Sequence, residues 1–176
     1  MADAVARAFR PAHGLADRLR APLARRLAAV YRLIMRISDV VRHKGGTVVT
    51  IRPEDPVTTM LAMLAEHRIG ALVVSNDGET VAGIVSERDV VRHLHSDGAA
   101  ILDGPVSAIM TSDVRTCEPH TQLSELERTM TDHRIRHVPV LVDGKLHAIV
   151  SIGDVVKNRI EDLQAERDQL VGYIQQ

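Results

Sequence analysis

The sequence predicts a mixed α/β (α+β) fold in which a β-α-β-β-α unit occurs twice, the two copies packed about a pseudo-twofold axis. Two observations carry this. First, "HRIGALVVSNDGETVAGIVSERDVV" (67–91) aligns with "HRIRHVPVLVDGKLHAIVSIGDVV" (133–156) with one residue removed after the turn. The match extends backwards, "VTIRPEDPV" (49–57) onto "RTCEPHTQL" (115–123) and "ISDVV" (37–41) onto "VSAIM" (106–110), a spacing of about 66 residues with the "KGG" loop at 44–46 as an extra. Second, each copy alternates short β-branched runs with segments of helical period, the signature of a strand-helix-strand crossover followed by a hairpin. A small sheet of this kind is not stable alone, so the copies are expected to bury one another and leave two related clefts between them.

The elements follow in order. Thr47–Ile51 is rich in β-branched residues and ends at Pro53. Asp55 then reads as an N-cap with Pro56 at the first helical position. Val57, Met60, Leu61 and Leu64 recur at helical spacing and form the buried face of that helix. Ala71–Val74 and Val81–Val85 are short apolar strands around "NDG", a hairpin signal that Asp143-Gly144 repeats in the second copy. The organisation predicted is an Arg/Ala-rich extension over 1–35, one copy over 36–103, a second over 104–158 and an amphipathic helix over 159–176. Pro11 and Pro22 break the extension into pieces, and it is expected to be disordered or weakly helical. Its Arg excess and lack of Glu resemble a transit peptide, but it contains no Ser.

Composition narrows the function. The aromatic residues are Phe9, Tyr31 and Tyr173 alone, so the body offers no stacking platform for single-stranded nucleic acid. Residues 1–34 hold seven Arg against Asp3 and Asp17, a net of +5, which leaves −6 of the overall −1 for the rest. An acidic body is a poor polyanion binder. The single cysteine, Cys117, provides neither a disulfide nor a zinc cage and fits a reducing compartment, so a cytoplasmic location is expected. The sequence has no apolar run of the roughly 18–20 residues that span a bilayer.

In both copies a serine ends the hairpin's second strand and an aspartate follows three residues later: Ser86 with Asp89, Ser151 with Asp154. One reading is a capping box, in which the serine hydroxyl accepts from the N3 amide and the N3 acid reaches back. The other is a nucleotide grip. A helix N-terminus attracts phosphate, and an aspartate one turn in accepts from a ribose diol. The spacing alone leaves both open.

The doubled "GIVSERD"/"AIVSIGD" segments, with "HRIRHVPV" before the second, resemble tandem cystathionine-β-synthase-type (CBS) domains, the arrangement called a Bateman module. The resemblance covers roughly residues 36–160 and is closest to small stand-alone proteins made of a CBS pair plus a C-terminal helix. It implies non-covalent binding of an adenine nucleotide (AMP, ATP or NADH) in the clefts, with no cofactor required and no catalysis. It maps ribose contacts onto Asp89 and Asp154 and phosphate contacts onto Ser86 and Ser151. Backbone at the end of the first strand would frame the base, around Thr50 and Ile51 in one copy and Thr116 and Cys117 in the other. Arg134, Arg136 and His137 are expected as further phosphate contacts, with Arg68 from the other copy. Arg88 aligns with Gly153, so the two sites are expected to be unequal.

The remaining features have plainer readings. His93 and His95 point to different faces of a helix, and no histidine pair forms a metal site at helical spacing. Cys117 aligns with Ile51 and reads as a core residue. No Ser-His-Asp order or phosphate-loop motif is present, so the chain is not expected to be an enzyme. In "VVKNRIEDLQAERDQLVGYIQ" (155–175), Val156, Ile160, Leu163, Leu170 and Ile174 make an apolar stripe, read either as packing on its own module or as a homodimer contact. Two functions stand: a nucleotide sensor acting on an unidentified regulated protein, without nucleic acid or membrane as partner, or a ligand-free interaction module in which the Ser-x-x-Asp pairs are helix caps.

Overall fold

The computed structural model describes residues 35–44 and 48–174; the predicted N-terminal extension lies almost entirely outside them. In chain order the elements are α1 (Ile37–Lys44), β1 (Thr50–Ile51), α2 (Val57–His67), β2 (Ala71–Val74), β3 (Gly83–Ser86), α3 (Glu87–Asp97), two short 3-10 turns (Ala99–Asp103 and Val106–Ala108), α4 (Leu123–Asp132), β4 (His137–Val142), β5 (Lys145–Ser151) and α5 (Ile152–Ile174). Residues Arg36–Asn158 form one compact unit.

In the first copy β2 lies between β1 and β3, parallel to β1 and antiparallel to β3, with Thr50 opposite Val73 and Leu72 opposite Val85. The crossover through α2 makes the β1–β2 pair parallel. All four β2 residues are buried, as both faces of a central strand require. On α2, Val57, Met60 and Leu64 face the core, while Leu61 sits at the margin with 36% of its surface exposed. The second copy has the same plan with one strand fewer. β4 and β5 form a hairpin, and the segment before α4 contributes a single parallel bridge, Cys117 to Val140. Asp143 and Gly144 take φ of 51° and 77°, the two left-handed positions that a tight two-residue hairpin turn needs.

One local expectation is corrected. Pro56 has ψ of 150°, so α2 begins at Val57 and Asp55 is not its N-cap. The Asp55 carboxylate instead accepts from the Arg52 amide at 3.0 Å and closes the preceding turn. The "NDG" segment lies in the expected hairpin connection between β2 and β3. The connection runs from Ser75 to Ala82, and the Asp77 carboxylate organises it by accepting from the Glu79 and Thr80 amides and from the Ser75 and Thr80 hydroxyls.

The segment leading into each copy docks on the other. The Ile37 and Ser38 amides donate to the Thr121 and Pro119 carbonyls, and Arg36 bridges to Gln122, the residue before α4. One repeat on, the Val106 and Ser107 amides donate to the Asp55 and Pro53 carbonyls, and Pro105 bridges to Pro56, the residue before α2. Val106 and Ile109 belong to the buried cluster of the first copy, with Ile51, Val57, Met60, Leu72, Val74 and Val85. Thr111 then pairs with Ile84 through two backbone hydrogen bonds of 2.9 Å, adding an edge to the first sheet. Each copy is therefore packed by the segment that opens the other.

Candidate functional site

The two Ser-x-x-Asp pairs sit where a strand passes directly into a helix, and in both the serine is the last strand residue. Antiparallel pairing holds them in register, Ser86 opposite Ala71 and Ser151 opposite His137. The capping geometry is present in both copies. Asp89 Oδ2 accepts from the Ser86 amide at 2.8 Å and lies 2.6 Å from its hydroxyl. Asp154 Oδ2 accepts from the Ser151 amide and hydroxyl at 2.7 Å each, and the Asp154 amide donates back to Ser151 Oγ at 3.2 Å. The first helical amides are engaged too, Glu87 with the Gly70 carbonyl and Ile152 with the Arg136 carbonyl. Two of the first three amides of α5 are thus occupied, so a phosphate arriving there depends on side-chain cations more than on the helix end.

A cavity of about 590 Å³ opens beside Ser151. That is ample for a nucleotide-sized molecule. One wall is aliphatic, Val48 and Val49 with Ile69 and Ala71 from the first copy and Ala148 and Ile149 from the second. Polar groups converge from Arg42, Lys44, Arg68, His137, His147 and Ser151. Lys44, at the end of α1, donates to Asp154 Oδ2 at 2.7 Å and to the Ile149 carbonyl at 3.0 Å. It brings the lead of the first copy onto the motif of the second.

These charges set one another's protonation. Burial alone would raise the Asp154 carboxyl, but the bonds from Lys44 and Ser151 outweigh it and hold the group below the usual carboxylate range. Burial pushes the His137 imidazole down, and the nearby Lys44 adds to this against the opposing pull of Asp154 and Glu87. His137 is consequently a neutral donor or acceptor at pH 7, not a cation waiting for phosphate.

The structure distributes the expected site residues between two places. Ser151, Asp154 and His137 gather with Arg68 at the cavity. Arg134 lies on the side of the other motif, where Arg88 Nη1 donates to its carbonyl at 3.1 Å, and Arg134 and Arg136 are exposed. The Arg134 carbonyl thus faces the Ser86/Asp89 motif, the Arg136 carbonyl takes the Ile152 amide beside Ser151, and Arg68 alone of the expected arginines lines the cavity. Ile51 is 2% exposed and belongs to the core, and the residues that line the cavity are Val48 and Val49, just ahead of β1. Thr116 and Cys117 line a second hollow of about 700 Å³ with His120 and the Asp143-Gly144 turn, at the far end of the β4–β5 hairpin from Ser151. Burial, with the Glu125 charge, pushes the Cys117 thiol up to about 11, consistent with a core residue.

Lys44, Arg42 and His147 were not anticipated as site residues. The only signal for Lys44 was the "KGG" insertion, which breaks the alignment of the two copies where α1 ends. Among the described residues no group of three His, Cys, Asp or Glu side chains could hold a metal ion.

Comparison with known proteins bears on the family and the fold. The CBS domain family matches twice, over residues 37–96 and 106–161. A mitochondrial CBS domain-containing protein of Arabidopsis thaliana, CBSX3, is 37% identical over 147 residues, covering 79% of this chain and 71% of that one. The crystal structure of a CBS-domain containing protein from Agrobacterium tumefaciens is 41% identical, with a TM-score of 0.69 over 71% of this chain and 99% of its own. The CBS domain pair of protein MJ0100, solved in complex with 5′-methylthioadenosine and S-adenosylmethionine, shares the fold at 20% identity, with a TM-score of 0.62 over 70% of this chain and 94% of its own. With both repeats matched and the fold shared, this chain belongs to the CBS domain family and carries a tandem pair of CBS domains.

Proposed function

We propose that the chain is a non-catalytic regulatory module that binds an adenine nucleotide of the AMP, ATP or NADH class in the clefts between its repeats and transmits occupancy to a partner protein. The observation that carries this reading is the 590 Å³ cavity beside Ser151 and Asp154, aliphatic on the Val48–Val49 side and cationic on the other. In this reading Val48 and Val49 bound the base, Asp154 takes the ribose hydroxyls, and the phosphate meets Ser151, Lys44 and Arg68. Asp89, Ser86, Arg134 and Arg136 form the counterpart in the second cleft. The ligands of the MJ0100 pair, 5′-methylthioadenosine and S-adenosylmethionine, support the adenosine part of this reading.

The partner in assembly is a second copy of this chain, through α5. Val156, Ile160, Leu163 and Val171 are each between 43% and 49% exposed on that helix, an apolar stripe interrupted at Arg167 that a lone copy leaves wet. Among the described residues no helix is long and apolar enough to cross a membrane. A reducing aqueous compartment such as the cytoplasm suits the buried free thiol.

A second reading has its own support. The Lys44–Asp154 pair and both capping boxes satisfy the motif side chains without any ligand, so the chain could serve as a ligand-free interaction module acting through α5. Thermal unfolding with AMP, ATP, NADH and S-adenosylmethionine in turn separates the two. A ligand at about 100 times its dissociation constant adds roughly 2.7 kcal/mol, a rise of several degrees at this size. A selective rise abolished by Asp154→Ala or Asp89→Ala supports the sensor. No rise with any nucleotide refutes it and leaves the interaction module.

A further inference from the structure

Resting on the nucleotide reading of the Ser151/Asp154 cavity, we propose that Lys44 is its selectivity residue: it gives up Asp154 to a ribose and pairs with the ligand's phosphate, so the cavity prefers phosphorylated adenosine ligands to uncharged nucleosides. The argument begins with the carboxylate. Asp154 Oδ2 already accepts from three donors, the Ser151 amide, the Ser151 hydroxyl and Lys44 Nζ, each at 2.7 Å. A bidentate grip on the two hydroxyls of a ribose needs capacity on both carboxylate oxygens, and Lys44 occupies what the serine leaves on Oδ2. At the corresponding carboxylate of the first copy, Asp89 Oδ2 takes only the two serine contacts, and the neighbouring cation, Arg92, stands 3.9 Å from Oδ1. The obstruction therefore belongs to one cleft.

Charge decides which ligand removes it. An uncharged nucleoside that displaces Lys44 leaves an ammonium, 38% exposed, without its counter-ion. A phosphate supplies a new one, and Lys44 is a flexible point charge on a four-carbon stem, suited to such an exchange. The surroundings favour the anion as well: three cations, Arg42, Lys44 and Arg68, line the cavity, and the carboxylate beside it, Asp154, is already engaged by Lys44 and Ser151. A cationic sulfonium ligand would face the same three charges unassisted.

Titration calorimetry of the full chain with AMP and with adenosine, for the native protein, Lys44→Gln and Lys44→Arg, tests the assignment. Native protein is expected to bind AMP more tightly than adenosine. Lys44→Gln is expected to weaken AMP about tenfold to a hundredfold, the worth of a charge-assisted contact, while adenosine binding is unchanged or tighter because its competitor is gone. Lys44→Arg keeps the preference and controls for folding. If Lys44→Gln leaves the ratio of AMP to adenosine affinities unaltered, Lys44 is not the selectivity residue although the nucleotide reading stands. If the native protein binds neither, both fall together.

Discussion

The exchanged lead segments make a prediction that neither repeat would make alone. Ile37 opens the first repeat, yet its side chain is fully buried and its amide donates to the Thr121 carbonyl of the second. Truncating it with Ile37→Ala removes three carbons from a site that neighbouring Val40, 2% exposed, and the fixed backbone of α1 cannot refill. Buried Ile→Ala changes cost about 2–5 kcal/mol. With a slope of about 2 kcal/mol/M, typical within the range for domains of this size, the urea midpoint is expected to drop by roughly 1–2.5 M. Native-state hydrogen exchange locates the damage: protection is expected to fall first at amides of α4 and of the 117–121 segment, in the repeat to which Ile37 does not belong. A loss below about 0.5 kcal/mol, the range of surface substitutions, or loosening confined to the first repeat, would refute the exchange as a source of stability.

Two further outcomes follow from the site's chemistry. Stability is expected to fall on acidification from pH 8. The folded pKa of His137 is depressed, so its contribution is fully present above its unfolded value near 6.5 and is lost as pH falls below that, through the folded value; Asp154, also depressed, adds a second loss below about 4. Melting temperatures measured between pH 8 and pH 5 should therefore decline, and His137→Gln should flatten the decline. An unchanged slope in that variant would remove His137 as its source. Cys117, buried and held up to about 11, should resist a disulfide reagent at pH 8 in the native protein and react promptly in urea, and equal rates in the two conditions would contradict its burial.

Much of the fold was legible because the chain states its pattern twice. A helix that leaves at Arg68 and Arg134 in the left-handed region, φ of 53° and 54°, does so at the same "HRI" in both copies, and the alignment carried that across. What periodicity could not show was which copy a segment packs on. Ile37 and Val106 look like the first apolar residues of their own repeats, and local pattern contains nothing about the docking across. The weakened first strand of the second repeat has a readable cause in hindsight. "VRTCEPH" lacks the β-branched run of "VVTIRPE", and it supports one bridge where the first copy supports a strand. At the site, the motif serines and aspartates were visible as spacing, whereas Lys44 was not, since its partner lies 110 positions away and the insertion that follows it has no counterpart.

The divergence of the two clefts matters more for function than their likeness. In one, an aspartate bound by Lys44 faces an aliphatic wall with Arg68 beside it. In the other, Arg88 reaches from the motif helix to the Arg134 carbonyl at the place where the first cleft has Gly153. A ligand can shift a conformational balance only by binding one arrangement better than another. For the Ser151/Asp154 cleft the arrangement at stake is α1, whose end holds Asp154 through Lys44 and whose start is hydrogen-bonded to residues 119 and 121 of the second repeat. A ligand that takes Asp154 releases the former tie and leaves the latter. On the proposed reading, binding in this cleft acts on α1, which ties the start of the first repeat to the second, and among the described residues the Ser86/Asp89 pair has no lysine of that kind on its aspartate.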